Sequence, residues 1–275
     1  QVYHCFGCGA SGGLISFVME YDKVDFISAI ENLASLAGLE VPTEAADPES
    51  GQRKALYTII EQADQAFRKA LKSNPNRDRA VNYLKGRGLT GLIAHRFGLG
   101  YAPDGWRFLL DQLSTEAQAK KYLLDAGLIV VNSQGREYDR FRERVMFPIR
   151  DIRGRTIAFG GRVLDESKPK YLNSPETKLF HKSEMLYGLY EARQACRSLD
   201  RVLVVEGYMD VVALAQFGID FAVATLGTAL TGQHLDRLSR QTAQVIVCFD
   251  GDQAGRTAAK RALDTMLPFL SDEFS

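Results

Sequence analysis

Residues 201–267 read RVLVVEGYMDVVALAQFGIDFAVATLGTALTGQHLDRLSRQTAQVIVCFDGDQAGRTAAKRALDTML, and the punctuation of this segment sets the fold class. Val202–Val205, Phe221–Thr225 and Val245–Phe249 are apolar runs of strand length. Met209–Phe217, Gly232–Arg240 and Ala254–Leu267 follow them in turn with helical spacing. Strict alternation of strand and helix predicts an α/β architecture with a parallel, doubly wound sheet. Ligands of such a sheet bind beyond the carboxyl ends of its strands. Here those ends carry acids: the first strand runs into Glu206-Gly207-Tyr208-Met209-Asp210, and the third into Asp250-Gly251-Asp252.

Glu206 and Asp210 are four residues apart across a strand-to-helix turn, so both can project from one rim. The glycine between Asp250 and Asp252 lets the backbone turn sharply and aim two carboxylates at one point. Clustered carboxylates repel and are costly to keep ionised without a cation. An open set of hard oxygen ligands suits Mg²⁺ or Mn²⁺, ions that keep waters and bind substrate phosphates. Taken singly, an Asp-Gly-Asp is a common surface turn; the metal reading rests on both acidic pairs sharing one sheet edge.

Working outward, the upstream half has mixed character. Val145–Ile149 and Thr156–Phe159 are predicted strands flanking a turn at Asp151–Arg155, a hairpin. Lys168–Lys182 (KPKYLNSPETKLFHK) is predicted as a functional loop, since it holds two prolines and shows little periodicity. Helices are predicted over Arg53–Leu71 and Ala80–Lys85, with a turn at Gly86–Gly88. Residues 1–42 open with a turn-rich segment, HCFGCGASGG, followed by two helical patterns, the second stopped at Gly38. Pro42–Gln52 is polar and aperiodic. The expected organisation is therefore a first domain over 1–42, a linker over 43–52, a basic subdomain over 53–200 and the parallel sheet over 201–275.

Formal net charge is zero over 275 residues, so the total identifies no partner. Between Arg136 and Lys182, however, twelve Lys/Arg stand against seven Asp/Glu, which is compatible with a phosphate-binding surface or with a solvated mixed-charge face. Cysteines at 5, 8, 196 and 248 form no secreted framework, and Cys248 falls inside an apolar run; a reducing cytoplasm fits best. No apolar run is long enough to span a bilayer, and no membrane role is expected. The opening residues show no secretory signal and no initiator Met, which suggests that the chain begins partway through a longer protein.

The acidic rim resembles the Toprim domain, the metal-binding fold shared by primases, topoisomerases and some nucleases. The resemblance then extends along the chain. Tyr3–Gly9 (YHCFGCG) is similar to the second half of the zinc-ribbon motif of bacterial DnaG-type primases. Arg140–Arg150 (RFRERVMFPIR), Gly160-Gly161-Arg162, Lys170–Thr177 (KYLNSPET) and Glu206–Ala213 (EGYMDVVA) resemble that family's polymerase-domain motifs.

This resemblance implies template-directed synthesis of short RNA primers on single-stranded DNA, from ribonucleoside triphosphates, at cytoplasmic replication forks. It implies a proton-transfer role for Glu206, and divalent ions held by Glu206, Asp210, Asp250 and Asp252. Arg87, Arg140, Arg142, Arg162, Lys170, Asn173 and Lys182 match family positions lining the nucleic-acid groove. Tyr171 and Phe180 are candidates for base stacking or, alternatively, ordinary packing. A replicative helicase, reached through a C-terminal domain, and a single-stranded-DNA-binding protein are the implied partners.

Cys5 and Cys8 have the spacing that lets two thiolates reach one tetrahedral ion, but two ligands make only half a Zn²⁺ site. The family supplies a further Cys and His upstream, so the expectation is weak zinc binding, or none, by the chain as given; a redox Cys-x-x-Cys is the competing reading. The family also carries acids on a strand after the last helix. By that comparison the chain is truncated at both ends. A Toprim nuclease or topoisomerase module, and a non-catalytic recombination-mediator scaffold, are the alternative functions.

Overall fold

A computed structural model describes residues 2–22, 24, 26–39, 48–114, 116–196, 198–271 and 274. The chain falls into two compact units, Gln1–Gly51 and Gln52–Ser275. In the first, β1 (Val2–His4) and β2 (Ser11–Gly13) form an antiparallel hairpin, followed by α1 (Leu14–Asp22) and α2 (Phe26–Leu36). The second helix ends just before Gly38, as its spacing predicts.

Helix α3 (Pro48–Ser73) starts earlier than expected. The end of the anticipated linker, Pro48–Gln52, is helical, and Pro is at home in a first turn because its missing N–H would have no partner there. The rest of that linker, through residue 47, lies outside the described residues. Then follow α4 (Asp78–Gly86), α5 (Gly91–Arg96), β3 (Gly100–Ala102), α6 (Phe108–Leu113), α7 (Ala117–Asp125), β4 (Ile129–Val131) and β5 (Glu137–Asp139). The predicted hairpin is β6 (Arg144–Arg150) and β7 (Thr156–Val163), antiparallel and turning at Asp151–Arg155. It forms the middle of a sheet of order β3-β6-β7-β8.

Strand β8 (Tyr171–Asn173) corrects the reading of Lys168–Lys182 as loop throughout. It pairs with Gly160–Arg162 and is too short to show alternation in the sequence. Every residue of β7, and all of β6 but Arg150, is buried. Pro148 stands inside β6 without breaking it, for a geometric reason. Phe159, its partner on β7, directs its N–H and C=O toward Ser174, away from β6. The nitrogen of Pro148 therefore faces the β3 side, and β3 reaches only residues 144–146. No ladder bond is lost.

The remaining elements are α8 (Leu189–Ala195), β9 (Arg201–Val205), α9 (Tyr208–Gln216), β10 (Ala222–Ala224), α10 (Gly232–Ser239), β11 (Gln244–Val247) and α11 (Gln253–Met266). Strands β10, β9 and β11 make the expected parallel sheet, with β9 central. The period-two alternation of β9 divides two cores. Val202 and Val204 join Leu235, Leu238 and Met266 from α10 and α11, while Leu203 and Val205 face α9 and the larger core around the antiparallel sheet. β11 ends at Val247, short of the predicted Phe249, which leaves Cys248 exposed; its amide still donates to the Val204 carbonyl at 2.9 Å. Among the described residues, no helix is long and apolar enough to cross a membrane.

Candidate functional site

The parallel sheet gathers the four acids at its carboxyl edge. Glu206 follows β9 directly and is exposed, and its Oε1 accepts the amide N–H of Asp250 at 2.8 Å. Asp210 lies in the first turn of α9 and accepts the Gly207 N–H at 3.0 Å. Asp252 is the N-cap of α11 and accepts from Gly255 N at 2.7 Å, the usual task of an Asp at a helix start. The Asp250 carboxylate is exposed, with no hydrogen bond to another described residue.

Gly255 is needed for this arrangement: a Cβ there would lie 2.1 Å from the Asp250 carbonyl oxygen, so only glycine lets the helix start close beneath the Asp250–Asp252 loop. Burial pushes the Asp210 carboxyl above its ordinary range, and repulsion from Asp250 and Glu206 adds to the shift. The Gly207 amide and the Arg87 guanidinium pull it back. The acids thus interact electrostatically, and Arg87 faces them from the end of α4. An all-oxygen, mutually repelling donor set fits a hard divalent cation. Among the described residues no three His, Cys, Asp or Glu side chains converge on a single point.

The basic residues divide into two groups. Arg87, Lys170 and Lys182 form no ion pair among the described residues; the first two are exposed and Lys182 is half-buried. Arg142 packs its guanidinium 4.0 Å from the ring centre of Trp106 and 5.2 Å from that of Tyr138, while Nη1 donates to the Asp139 carbonyl. Arg140 and Arg162 are turned inward instead. Arg140 donates through Nε and Nη2 to the Asn173 carbonyl at 3.1 and 3.0 Å. Arg162 is 3% exposed, bonds the Val163 carbonyl, and lies 4.5 Å from the Tyr83 ring centre.

Asn173 is a junction. Its Oδ1 accepts the Tyr208 hydroxyl at 2.6 Å and its Nδ2 donates to the Leu226 carbonyl at 2.8 Å, so β8 is tied both to α9 and to the loop after β10. The Tyr208 ring stacks on Phe147 with centroids 5.5 Å apart and rests against Gly160, where a Cβ would meet it at 2.6 Å. The Gly-Gly-Arg motif therefore accommodates an aromatic ring. Of the two stacking candidates, Phe180 is fully buried and packs in the core, while Tyr171 is 37% exposed.

Sequence reasoning missed Trp106, which is 61% exposed beside Arg142; as the only Trp of the chain it was the available signal. It also missed the Leu226–Gly227 loop, whose glycine has a positive φ of 75°.

In the first unit, Cys5 and Cys8 are exposed thiols. The backbone amides of Cys8 and Gly7 point at the Cys5 sulfur and lower its pKa, favouring the thiolate that a metal needs. Two sulfurs so arranged fit half of a tetrahedral zinc site.

Three family models match in chain order: the CHC2 zinc finger over residues 1–49, the N-terminal domain of the DNA primase catalytic core over 66–193, and a Toprim-like domain over 203–269. A crystal structure of a DNA primase domain from Pseudomonas aeruginosa is 62% identical with a TM-score of 0.77, over 80% of this chain and 68% of that one. The chain belongs to the DnaG-type DNA primase family. A structure of the DnaG primase catalytic domain bound to ssDNA is 52% identical, with a TM-score of 0.78, over 82% of this chain and 70% of that one. The DNA primase of P. aeruginosa is 58% identical over 278 residues, 99% of this chain and 42% of that primase. The chain thus spans less than half the length of such full-length primases.

Proposed function

We propose that this chain carries the catalytic part of a DNA primase, which synthesises short RNA primers on single-stranded DNA by divalent-metal-dependent nucleotidyl transfer. The reading is carried by the Glu206–Asp210–Asp250–Asp252 edge standing opposite Arg87 in a chain of the DnaG-type family. Glu206, Asp210, Asp250 and Asp252 would hold the ions. A divalent ion such as Mg²⁺ or Mn²⁺ would supply neutralisation of the phosphate charge there.

Glu206 takes the proton of the attacking hydroxyl, held in place by the Asp250 amide. Arg87, Arg142, Lys170 and Lys182 grip phosphates, contacts that fix strand position with little sequence information and suit an enzyme copying many templates. Arg140, Arg162 and Asn173 shape the floor beneath. Cys5 and Cys8 contribute two of the four ligands of a structural Zn²⁺. We assign the basic subdomain to 53–200 and the acidic sheet to 201–275. The protein is expected to act in the cytoplasm at replication forks, on ribonucleoside triphosphates, with a replicative helicase and a single-stranded-DNA-binding protein as partners.

The test is labelled ribonucleotide incorporation on single-stranded DNA with Mg²⁺ or Mn²⁺, comparing the protein with Asp250→Asn. Template-dependent short RNA that vanishes in the variant is the expected result. Shortened DNA would indicate a nuclease, and binding without product a scaffold.

A further inference from the structure

Away from the acidic edge, helices α3, α4 and α5 enclose a cleft of about 580 Å³ that the polymerase reading leaves without a task. Its floor is aliphatic, built by Leu71, Val81, Leu84, Leu89 and Ala94; no Phe, Tyr or Trp lines it, and the one ring in the lining is the exposed His95 imidazole. Its rim is cationic, and no Asp or Glu is among its lining residues. Arg68 is neutralised by Asp64 at 2.9 Å, and Arg77 is partnered by Asp78 at 3.7 Å. Lys69, Lys72 and Lys85 are exposed and form no ion pair among the described residues. Lys69 and Lys72 are one helical turn apart on α3, while Lys85 stands on the last turn of α4.

We infer that this cleft is a docking site for an acidic peptide segment of a partner protein, one that places an apolar side chain on the aliphatic floor and carboxylates against Lys69, Lys72 and Lys85. Charge complementarity selects the sign of the ligand, and the floor selects its other half. A nucleic-acid strand satisfies only the first condition. Binding of single strands relies on aromatic rings under the bases, and a row of Leu, Val and Ala offers none. A peptide alternating acidic and apolar residues satisfies both, and the volume suits one or two large aliphatic or aromatic side chains. Rim charges then steer association while the apolar anchor supplies the buried contact. The inference does not depend on the proposed polymerase activity.

The experiment is fluorescence anisotropy on the whole protein with a dye-labelled peptide of alternating Asp and Leu. A peptide with Ser at each Leu and a labelled oligothymidylate serve as comparison ligands. Saturable binding of the Asp/Leu peptide is expected, with at least ~10-fold weaker binding in the Lys69→Glu/Lys72→Glu double variant. The Ser peptide is expected to bind at least ~10-fold more weakly to the unaltered protein. Circular dichroism checks that the double variant folds, and Lys69→Gln/Lys72→Gln replaces it if it does not. Absence of binding, equal affinity for the Ser peptide, or peptide affinity indifferent to these lysines would overturn the inference. So would a variant that loses oligothymidylate binding while retaining the peptide.

Discussion

The Glu206 carboxylate and the Asp250 amide, 44 residues apart in sequence, meet at 2.8 Å and clasp the carboxyl ends of β9 and β11. One acid is thereby made the positioning element of the next. Glu206→Gln keeps an oxygen that can accept this N–H but removes the charge. Under the proposed function, it is expected to leave the thermal midpoint nearly unchanged while lowering the rate of primer synthesis by ~10²-fold or more. Glu206→Ala is expected to lose activity and stability together, and comparing the two by thermal melts and incorporation assays separates clasp from chemistry.

Gly255→Ala sets helix propensity against sterics. In open space the change would favour α11, but its Cβ would collide with the Asp250 carbonyl. A loss of about 1–3 kcal/mol is expected in denaturant unfolding, the scale of overpacking. A stabilised protein would show that the loop yields freely.

The exposed Trp106 forms a cation–aromatic pair with Arg142, and Lys182 forms no ion pair among the described residues. Under the proposed function, Trp106→Ala costs about 1–3 kcal/mol of single-stranded DNA affinity through lost stacking. Lys182→Ala weakens binding across all sequences and lowers the salt slope by about 1, having removed one phosphate contact. Titrations at several salt concentrations distinguish the two effects, because the tryptophan variant keeps its slope.

Asp139 accepts the amides of Leu109 and Leu110 at the start of α6, and its burial raises its pKa from 3.8 to about 6. The folded state therefore holds the proton more tightly than the unfolded one. Between roughly pH 4 and 6 the folded chain binds more protons, so this group makes stability fall as pH rises, and above that window its cost is constant. Asp139→Asn is expected to remove this contribution. Thermal midpoints of the two proteins, measured from pH 4 to 7, should draw apart across the window.

The parallel sheet was readable because its strands are nearly continuous apolar runs, even in β11 where only Val245 is buried, and the following helices are well spaced. Glu206 and Asp250 stood out as charges immediately after those runs. By contrast β8 has three residues and takes its stability from pairing with β7, a non-local effect invisible to periodicity. The Arg136–Lys182 surplus was visible as a count but not as a direction. Arg140, Arg144 and Arg162 spend their donors on backbone carbonyls, and only the fold decides which guanidinium faces water. Trp106 belongs to no periodic pattern, and it meets Arg142 because the Asp139 amide donates to the Trp106 carbonyl at 2.8 Å, a long-range contact.

Tyr208 is gripped from several sides, by Phe147, Gly160 and the Asn173 amide, at the point where the acid-bearing helix leaves the sheet. The turn that carries Glu206 and Asp210 is thereby braced against the antiparallel sheet that carries Arg144 and Arg162. Under the proposed function, an advancing strand would meet a turn held on two sides, so the step from one nucleotide to the next would fall to the strand and not to this turn.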